Sequence, residues 1–146
     1  MKKILTFCIG LLFMTSCEKD EQPYNIWVEK SQYTLSDQGK ANISVTVAPE
    51  DFDISKLEIG YYDIYETGED PKLPGVGILS VTKDAQASGK WTVVIGLKVE
   101  GKPYAPNPKY SYKTDATVDF YALRASGEAV HTDKFKFSLD IKSSSL

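Results

Sequence analysis

The residue types that most often carry catalysis are scarce in this chain of 146 residues. It has a single histidine, His131, and both of its cysteines, Cys8 and Cys17, lie within the first 17 residues. Nucleophilic catalysis would need His131 together with a serine and a positioning acid, and no nucleophile-elbow motif is present. A lone histidine without thiolates is also a poor basis for a zinc site. We therefore predict no catalytic residues, no metal site and no cofactor, and interpret His131 as a hydrogen-bonded or exposed residue at a strand end.

Carboxylates offer a second kind of chemistry, because a facing pair of them can hydrolyse a glycosidic bond. Acidic residues are concentrated around one predicted loop, residues 66–76: Asp63, Glu66, Glu69 and Asp70. The same oxygen atoms could hold Ca²⁺ weakly, although the regular EF-hand spacing is missing. Acidic loops with prolines are usual on exported domains. We predict a solvated loop here, and a carboxylate-dependent hydrolase stays open as an alternative.

Tyrosines are the more informative residues, and the chain has nine of them. Three lie in a proline-rich predicted loop, residues 102–112: Tyr104, Tyr110 and Tyr112. Prolines stiffen such a loop, and rigid exposed tyrosines lose little entropy on contact with a ligand. We predict that these three bind a glycan or a partner surface protein. The alternative is that they seal the edges of the fold with their hydroxyls outward. A second aromatic strip is possible on one predicted strand: Tyr61, Tyr62 and Tyr65.

The elements that must position these side chains are strands, because apolar and polar residues alternate and no helical period is sustained. The alternation is clearest in residues 40–47, 91–99 and 135–141. Weaker strands are predicted for residues 26–28, 33–35, 57–65, 77–82 and 118–125. In residues 57–65 the alternation is broken at Asp63. Residues 126–128 form a short glycine-containing loop, so the strand before it and the last strand are predicted to pair as a hairpin.

Seven or eight short strands in about 120 residues predict an all-β fold, a single antiparallel two-sheet β-sandwich. This order of elements resembles the immunoglobulin-like or fibronectin-III-like domains that are common in surface lipoproteins of the Bacteroidota. The cysteine pair of immunoglobulin domains is absent, and Trp91 lies late in the chain. The resemblance therefore rests on the pattern of strands.

The first residues of the chain have the pattern of a short targeting signal. Residues 1–3 are basic at two positions, and the apolar run of residues 4–14 has the length of a signal-peptide core, too short to span a membrane. The run ends in Met14-Thr15-Ser16-Cys17, which resembles the lipobox of bacterial lipoproteins, with Met14 where leucine is usual. The resemblance implies cleavage before Cys17 and attachment of palmitate-type acyl chains to it. Several acyl chains at one residue give a durable membrane anchor.

The residues after the cysteine, Glu18-Lys19-Asp20-Glu21, resemble the acidic export signal of Bacteroidota surface lipoproteins. Lys19, Asp20 and Glu21 would then direct the protein to the outer face of the outer membrane. The predicted organisation is a lipoprotein signal peptide (residues 1–16), a lipidated polar tether (residues 17–23) and a β-sandwich domain (residues 24–146).

The overall composition and charge narrow the possible partners. The net charge is −3, which argues against nucleic acid, since nucleic-acid binding needs clustered Lys and Arg. We predict a non-enzymatic, lipid-anchored binding or assembly module at the cell surface. Its partners would be the membrane, through Cys17, and a glycan or a surface protein, contacted through the long Tyr/Pro-rich loops. An inhibitor of an extracellular hydrolase and the carboxylate-dependent hydrolase are the alternatives.

Overall fold

The computed structural model describes residues 25–49 and 54–144, and these residues form strands connected by turns and loops. The strands are β1 (Asn25–Val28), β2 (Gln32–Thr34), β3 (Lys40–Ala48), β4 (Glu58–Gly68), β5 (Gly75–Lys83), β6 (Lys90–Val99), β7 (Lys102–Pro103), β8 (Tyr112–Leu123), β9 (Ala129–His131) and β10 (Phe135–Ile141).

The strands form two sheets that pack face to face. Sheet A has the order β1-β3-β6-β5, with β7 beside β6, and sheet B has the order β2-β10-β8-β4, with β9 beside β8. With the seven longer strands labelled A to G along the chain, the sheets are ABED and CFG, the arrangement of the immunoglobulin fold. The predicted β-sandwich is confirmed. Three strands of two or three residues (β2, β7 and β9) bring the number to ten, and β2 pairs with β10 in parallel.

The core between the sheets is built by the inward-facing residues of the alternating strands. Strand β3 contributes residues such as Ile43 and Val45, and β6 contributes Val93 and Ile95, all with no exposed surface. Sheet B faces them with aromatic side chains, including Phe120 and Phe135, whose ring centres are 5.0 Å apart. Burying each such side chain stabilises the fold by about 1.5–3 kcal/mol. In the described residues no cystine contributes, so packing carries this stability.

Strand β4 contains a β-bulge that decides which of its side chains face outward. Tyr61 pairs with Val118, but the next paired residue on β4 is Asp63, opposite Thr117, so Tyr62 is the extra residue. Before the bulge the odd-numbered residues lie on the inner side of sheet B, and after it the even-numbered ones do, since a one-residue insertion reverses the alternation. Tyr61 and Ile64 are on this inner side but keep 41% and 44% of their surface exposed. The bulge is the physical reason why the alternation in the sequence breaks at Asp63.

The structured regions are longer than predicted at two places. Strand β8 begins at Tyr112, six residues before the predicted start at residue 118. Strands β4 and β5 extend to Gly68 and from Gly75, so the predicted loop of residues 66–76 shrinks to residues 69–74. Strands β8 and β10 are antiparallel neighbours, as predicted for the hairpin.

Candidate functional site

Tyr112 is a buried strand residue, so the predicted exposed loop position of this tyrosine is wrong. It is the first residue of β8, and only 4% of its surface is exposed. Its hydroxyl donates a hydrogen bond to the Pro74 carbonyl oxygen at 2.6 Å and accepts one from Thr114 Oγ1 at 2.9 Å. Burial raises the pKa of Tyr112 to about 12. Its role is to close one end of the core.

The other two tyrosines of the predicted loop site are half-buried. Tyr104 packs against the core, and its hydroxyl donates a hydrogen bond to the Asp70 carboxylate. This bond raises the pKa of Tyr104 to about 12 and lowers the pKa of Asp70. Tyr110 closes a turn in which its N–H donates to the Asn107 carbonyl oxygen at 3.0 Å. The Tyr104–Asp70 bond links the two long loops, so this tyrosine acts as a structural tie.

The predicted lipidation and export residues, Cys17, Lys19, Asp20 and Glu21, lie outside the described residues. Within residues 25–49 and 54–144, no helix has the length and apolar character needed to cross a membrane.

The acidic residues around the first long loop do not converge on one point. Asp63 faces the outer side of sheet B, whereas Glu66, opposite Thr114, faces the inner side, where burial raises its pKa. Asp70 is held by Tyr104 and by the Lys72 N–H, which lies 2.9 Å from Asp70 Oδ1. Among the described residues no three His, Cys, Asp or Glu side chains are grouped as a metal site would require.

A shallow groove of about 280 Å³ runs across the outer face of sheet B, and we call it the outer groove. It is lined by Gln32, Asp63, Tyr65, Asp115, Ala116, Thr117, Lys136, Phe137 and Ser138. These residues come from the adjacent strands β2, β10, β8 and β4, so the groove crosses four neighbouring strands of the sheet. Tyr65 forms its aromatic wall and is 57% exposed.

The outer groove combines hydrogen-bond donors and acceptors with one aromatic surface. Gln32, Thr117 and Ser138 can both donate and accept, Lys136 donates, and Asp63 and Asp115 accept. Asp115 also lies 3.6 Å from Lys113, an exposed pair that contributes little stability. Such a surface can bind a ligand that has many hydroxyls and an apolar face.

A second polar group lies on the same face, and we call Tyr62, Asp119, Tyr121 and His131 the histidine cluster. The Asp119 side chain is 3% exposed although it points away from the core. Its Oδ2 accepts a hydrogen bond from the Tyr62 hydroxyl at 2.6 Å and lies 2.8 Å from His131 Nδ1. The bond to Asp119 raises the pKa of Tyr62. A buried carboxylate is costly unless it is paired, so these two partners hold it in place.

Gly60 makes room for the buried carboxylate. Gly60 is paired with Asp119 across β4 and β8, and a Cβ at this position would lie 2.5 Å from Asp119 Oδ1. That oxygen is buried and has no hydrogen-bond partner. The glycine and the carboxylate therefore depend on each other in this structure.

Three further contacts fix the rings of the histidine cluster. The Tyr121 and His131 rings are 5.3 Å apart and tilted by 31°, and the Tyr121 hydroxyl donates to Glu58 Oε2 at 2.5 Å. Lys134 Nζ lies 3.9 Å from the centre of the Tyr62 ring. His131 was interpreted from the sequence as a hydrogen-bonded or exposed strand-end residue, and it is both. Asp119 is not among the residues predicted from the sequence; its signal there is a charged residue between Val118 and Phe120 in an apolar strand.

The fold and its outer face define an immunoglobulin-like β-sandwich with a polar, tyrosine-bearing sheet surface. Compared with protein-family models and with curated proteins, the chain shows no match.

Proposed function

We propose that this protein is a non-enzymatic, lipid-anchored cell-surface module that binds a glycan on the outer face of sheet B. The observation that carries the proposal is the outer groove, where the exposed ring of Tyr65 lies beside hydrogen-bonding side chains from four strands. We therefore place the proposed binding surface on the sheet and not on the loops predicted from the sequence, because Tyr112 is buried and the Tyr104 hydroxyl is bonded to Asp70.

The chemistry of a sugar fits this surface. Sugar hydroxyls donate and accept hydrogen bonds, and the groove offers side chains of both kinds. The apolar C–H face of a sugar ring can pack on an exposed tyrosine ring, as other apolar groups do. Side chains mounted on strands are held more rigidly than those on loops, which limits the entropy lost on binding. A groove that crosses several strands also suits a chain-like ligand.

A carboxylate-dependent hydrolase is the second candidate, because the groove brings Asp63 and Asp115 to one surface. A general acid needs a buried or crowded setting that keeps its proton at neutral pH. Both of these aspartates are exposed. This favours binding without hydrolysis, and the hydrolase would be recognised by release of new reducing ends from a bound polysaccharide.

The proposal is tested with the purified full-length chain in mild detergent, run through native gels that each contain one neutral polysaccharide. We expect at least one polysaccharide to retard the chain without release of reducing ends. Tyr65→Ala is expected to weaken that binding roughly tenfold or more, since truncating a central aromatic contact commonly costs above ~1 kcal/mol.

The matched control is Trp27→Ala. Trp27 is 46% exposed on strand β1 of sheet A, so this variant removes an exposed aromatic ring from the opposite side of the sandwich. It should bind as the unchanged chain does. Absence of retardation across the panel, or equal loss in both variants, would refute glycan binding by the outer groove.

The membrane anchor is tested separately in cells. Cys17→Ser should prevent lipidation, so the protein would no longer incorporate labelled palmitate and would leave the membrane fraction. Cys8→Ser is the matched control, because Cys8 lies inside the apolar run of the signal and should not be acylated. If Cys17→Ser stays labelled and membrane-bound, the proposed anchor is wrong. Protease added to intact cells then reports whether the domain is surface-exposed.

A further inference from the structure

The outer groove and the histidine cluster lie end to end on one face. Their outward residues follow one another along β8: Asp115, Thr117, Asp119 and Tyr121. Successive outward residues of a strand are about 7 Å apart, so this row extends over roughly 20 Å. Tyr62 connects the two parts on β4, because the bulge places it next to Asp63, which lines the groove.

From this arrangement we infer that the two parts form one extended site for a neutral oligosaccharide, with Nε2 of His131 as a hydrogen-bond acceptor for a sugar hydroxyl. The inference rests on the proposed glycan binding and adds a second contact to it. It also specifies the ligand as a chain of several uncharged sugar units.

The hydrogen bond to Asp119 determines what His131 can offer a ligand. A neutral imidazole has one N–H and one acceptor nitrogen. Since Nδ1 faces the Asp119 carboxylate at 2.8 Å, we assign the proton to Nδ1, which leaves Nε2 as the acceptor. The side chain is 46% exposed, so a ligand can reach it. The Tyr121 ring packs against one face of the imidazole and limits its rotation.

The charges around the face favour an uncharged ligand. Three exposed carboxylates, Glu58, Asp63 and Asp115, are matched by three lysines, Lys113, Lys134 and Lys136, while Asp119 is buried and paired within the histidine cluster. The face therefore has no excess of positive charge with which to attract a polyanionic chain. A neutral chain meets hydroxyl-binding groups along the whole face.

The experiment is calorimetric titration of the full-length chain in detergent with neutral gluco-, manno- and xylo-oligosaccharides of two to six units. For a series that binds, we expect affinity to rise with chain length until both parts of the face are occupied. His131→Phe keeps a ring beside Tyr121 but removes the acceptor. It should leave the affinity for the shortest ligand unchanged and abolish the gain, roughly tenfold, for the longer ones.

Two further variants make the result specific. His131→Gln keeps an acceptor oxygen and should retain part of the increase in affinity with ligand length. If His131→Phe does not fold, this second variant still tests the role of the acceptor. Tyr65→Ala should weaken binding at every length. Thermal melting verifies that each variant is folded.

The outcomes separate the inference from the proposed function. If affinity does not depend on length, or His131→Phe matches the unchanged chain at every length, the extended site is refuted while glycan binding stands. Tighter binding of polyuronate oligosaccharides than of neutral ones would also refute it. If none of the ligands binds, the proposed function fails and the inference fails with it.

Discussion

Replacing Tyr112 with alanine is expected to destabilise the sandwich by about 3–5 kcal/mol, the cost of deleting a buried aromatic side chain. Tyr112 is 4% exposed, and its hydroxyl bridges Pro74 on one loop and Thr114 on its own strand. Removing it would open a cavity at one end of the core and leave Thr114, which is fully buried, without this partner. Urea unfolding of the unchanged chain and the variant measures the difference as a shift of the midpoint.

Two companion variants separate packing from hydrogen bonding. Tyr112→Phe keeps the ring and removes only the hydroxyl, so the expected loss is about 1–3 kcal/mol, the cost of leaving a buried polar group unsatisfied. Tyr110→Ala alters a half-buried turn residue two positions earlier and should cost about 0.5 kcal/mol or little more. If Tyr112→Ala were as stable as Tyr110→Ala, the buried position of Tyr112 would be refuted.

Tyr112 also shows why the start of β8 was predicted six residues too late. The residues that face the core there alternate in the sequence: Tyr112, Thr114, Ala116 and Val118. Threonine and alanine contribute little to a hydrophobic pattern, and the three preceding prolines suggested a loop. The strand is nevertheless formed because β10 and β4 pair with it on both sides. Pairing of this kind overrides a weak local pattern.

Strands with a strong alternation of apolar and polar residues could be predicted from the sequence alone. The two-sheet fold class was predicted from these strands. Strands β3, β6 and β10 have apolar side chains on one face and mostly polar ones on the other. What alternation does not specify is which strands become neighbours. The parallel pairing of β2 with β10 depends on contacts between distant parts of the chain, and the sequence contains no local signal for it.

The candidate site could not be predicted for the same reason. The outer groove combines Gln32, Tyr65, Thr117 and Lys136, residues that are far apart in the chain and meet only through strand order and register. The three tyrosines suggested as a second aromatic strip do not share one face. Because of the bulge, Tyr61 lies on the inner side of sheet B, where its hydroxyl donates to the Val76 carbonyl oxygen, whereas Tyr62 and Tyr65 lie on the outer face. The predicted lipobox that ends in Cys17 is a linear pattern, so that prediction does not depend on the fold; it lies outside the described residues.

Gly60→Ala is expected to destabilise the protein by about 1–3 kcal/mol, the usual cost of overpacking, and to disrupt the histidine cluster. The added Cβ would lie 2.5 Å from Asp119 Oδ1, so the carboxylate must move. Its displacement would break the 2.6 Å bond from Tyr62 and the 2.8 Å contact with His131. The loss is measured by urea unfolding, and the release of His131 is measured by the NMR signals of its ring nitrogens.

A second glycine provides the matched control for this prediction. Gly77, on edge strand β5, would place a Cβ 3.0 Å from Cδ of Lys98, a flexible side chain that can move. Gly77→Ala should therefore be close to neutral. In the double variant Gly60→Ala/Asp119→Ala the clashing oxygen is gone, so the two changes should cost less together than the sum of their separate effects. If the losses of stability in the two single variants simply added up in the double variant, Gly60 and Asp119 would be independent. The prediction that Gly60 makes room for the Asp119 carboxylate would then be refuted.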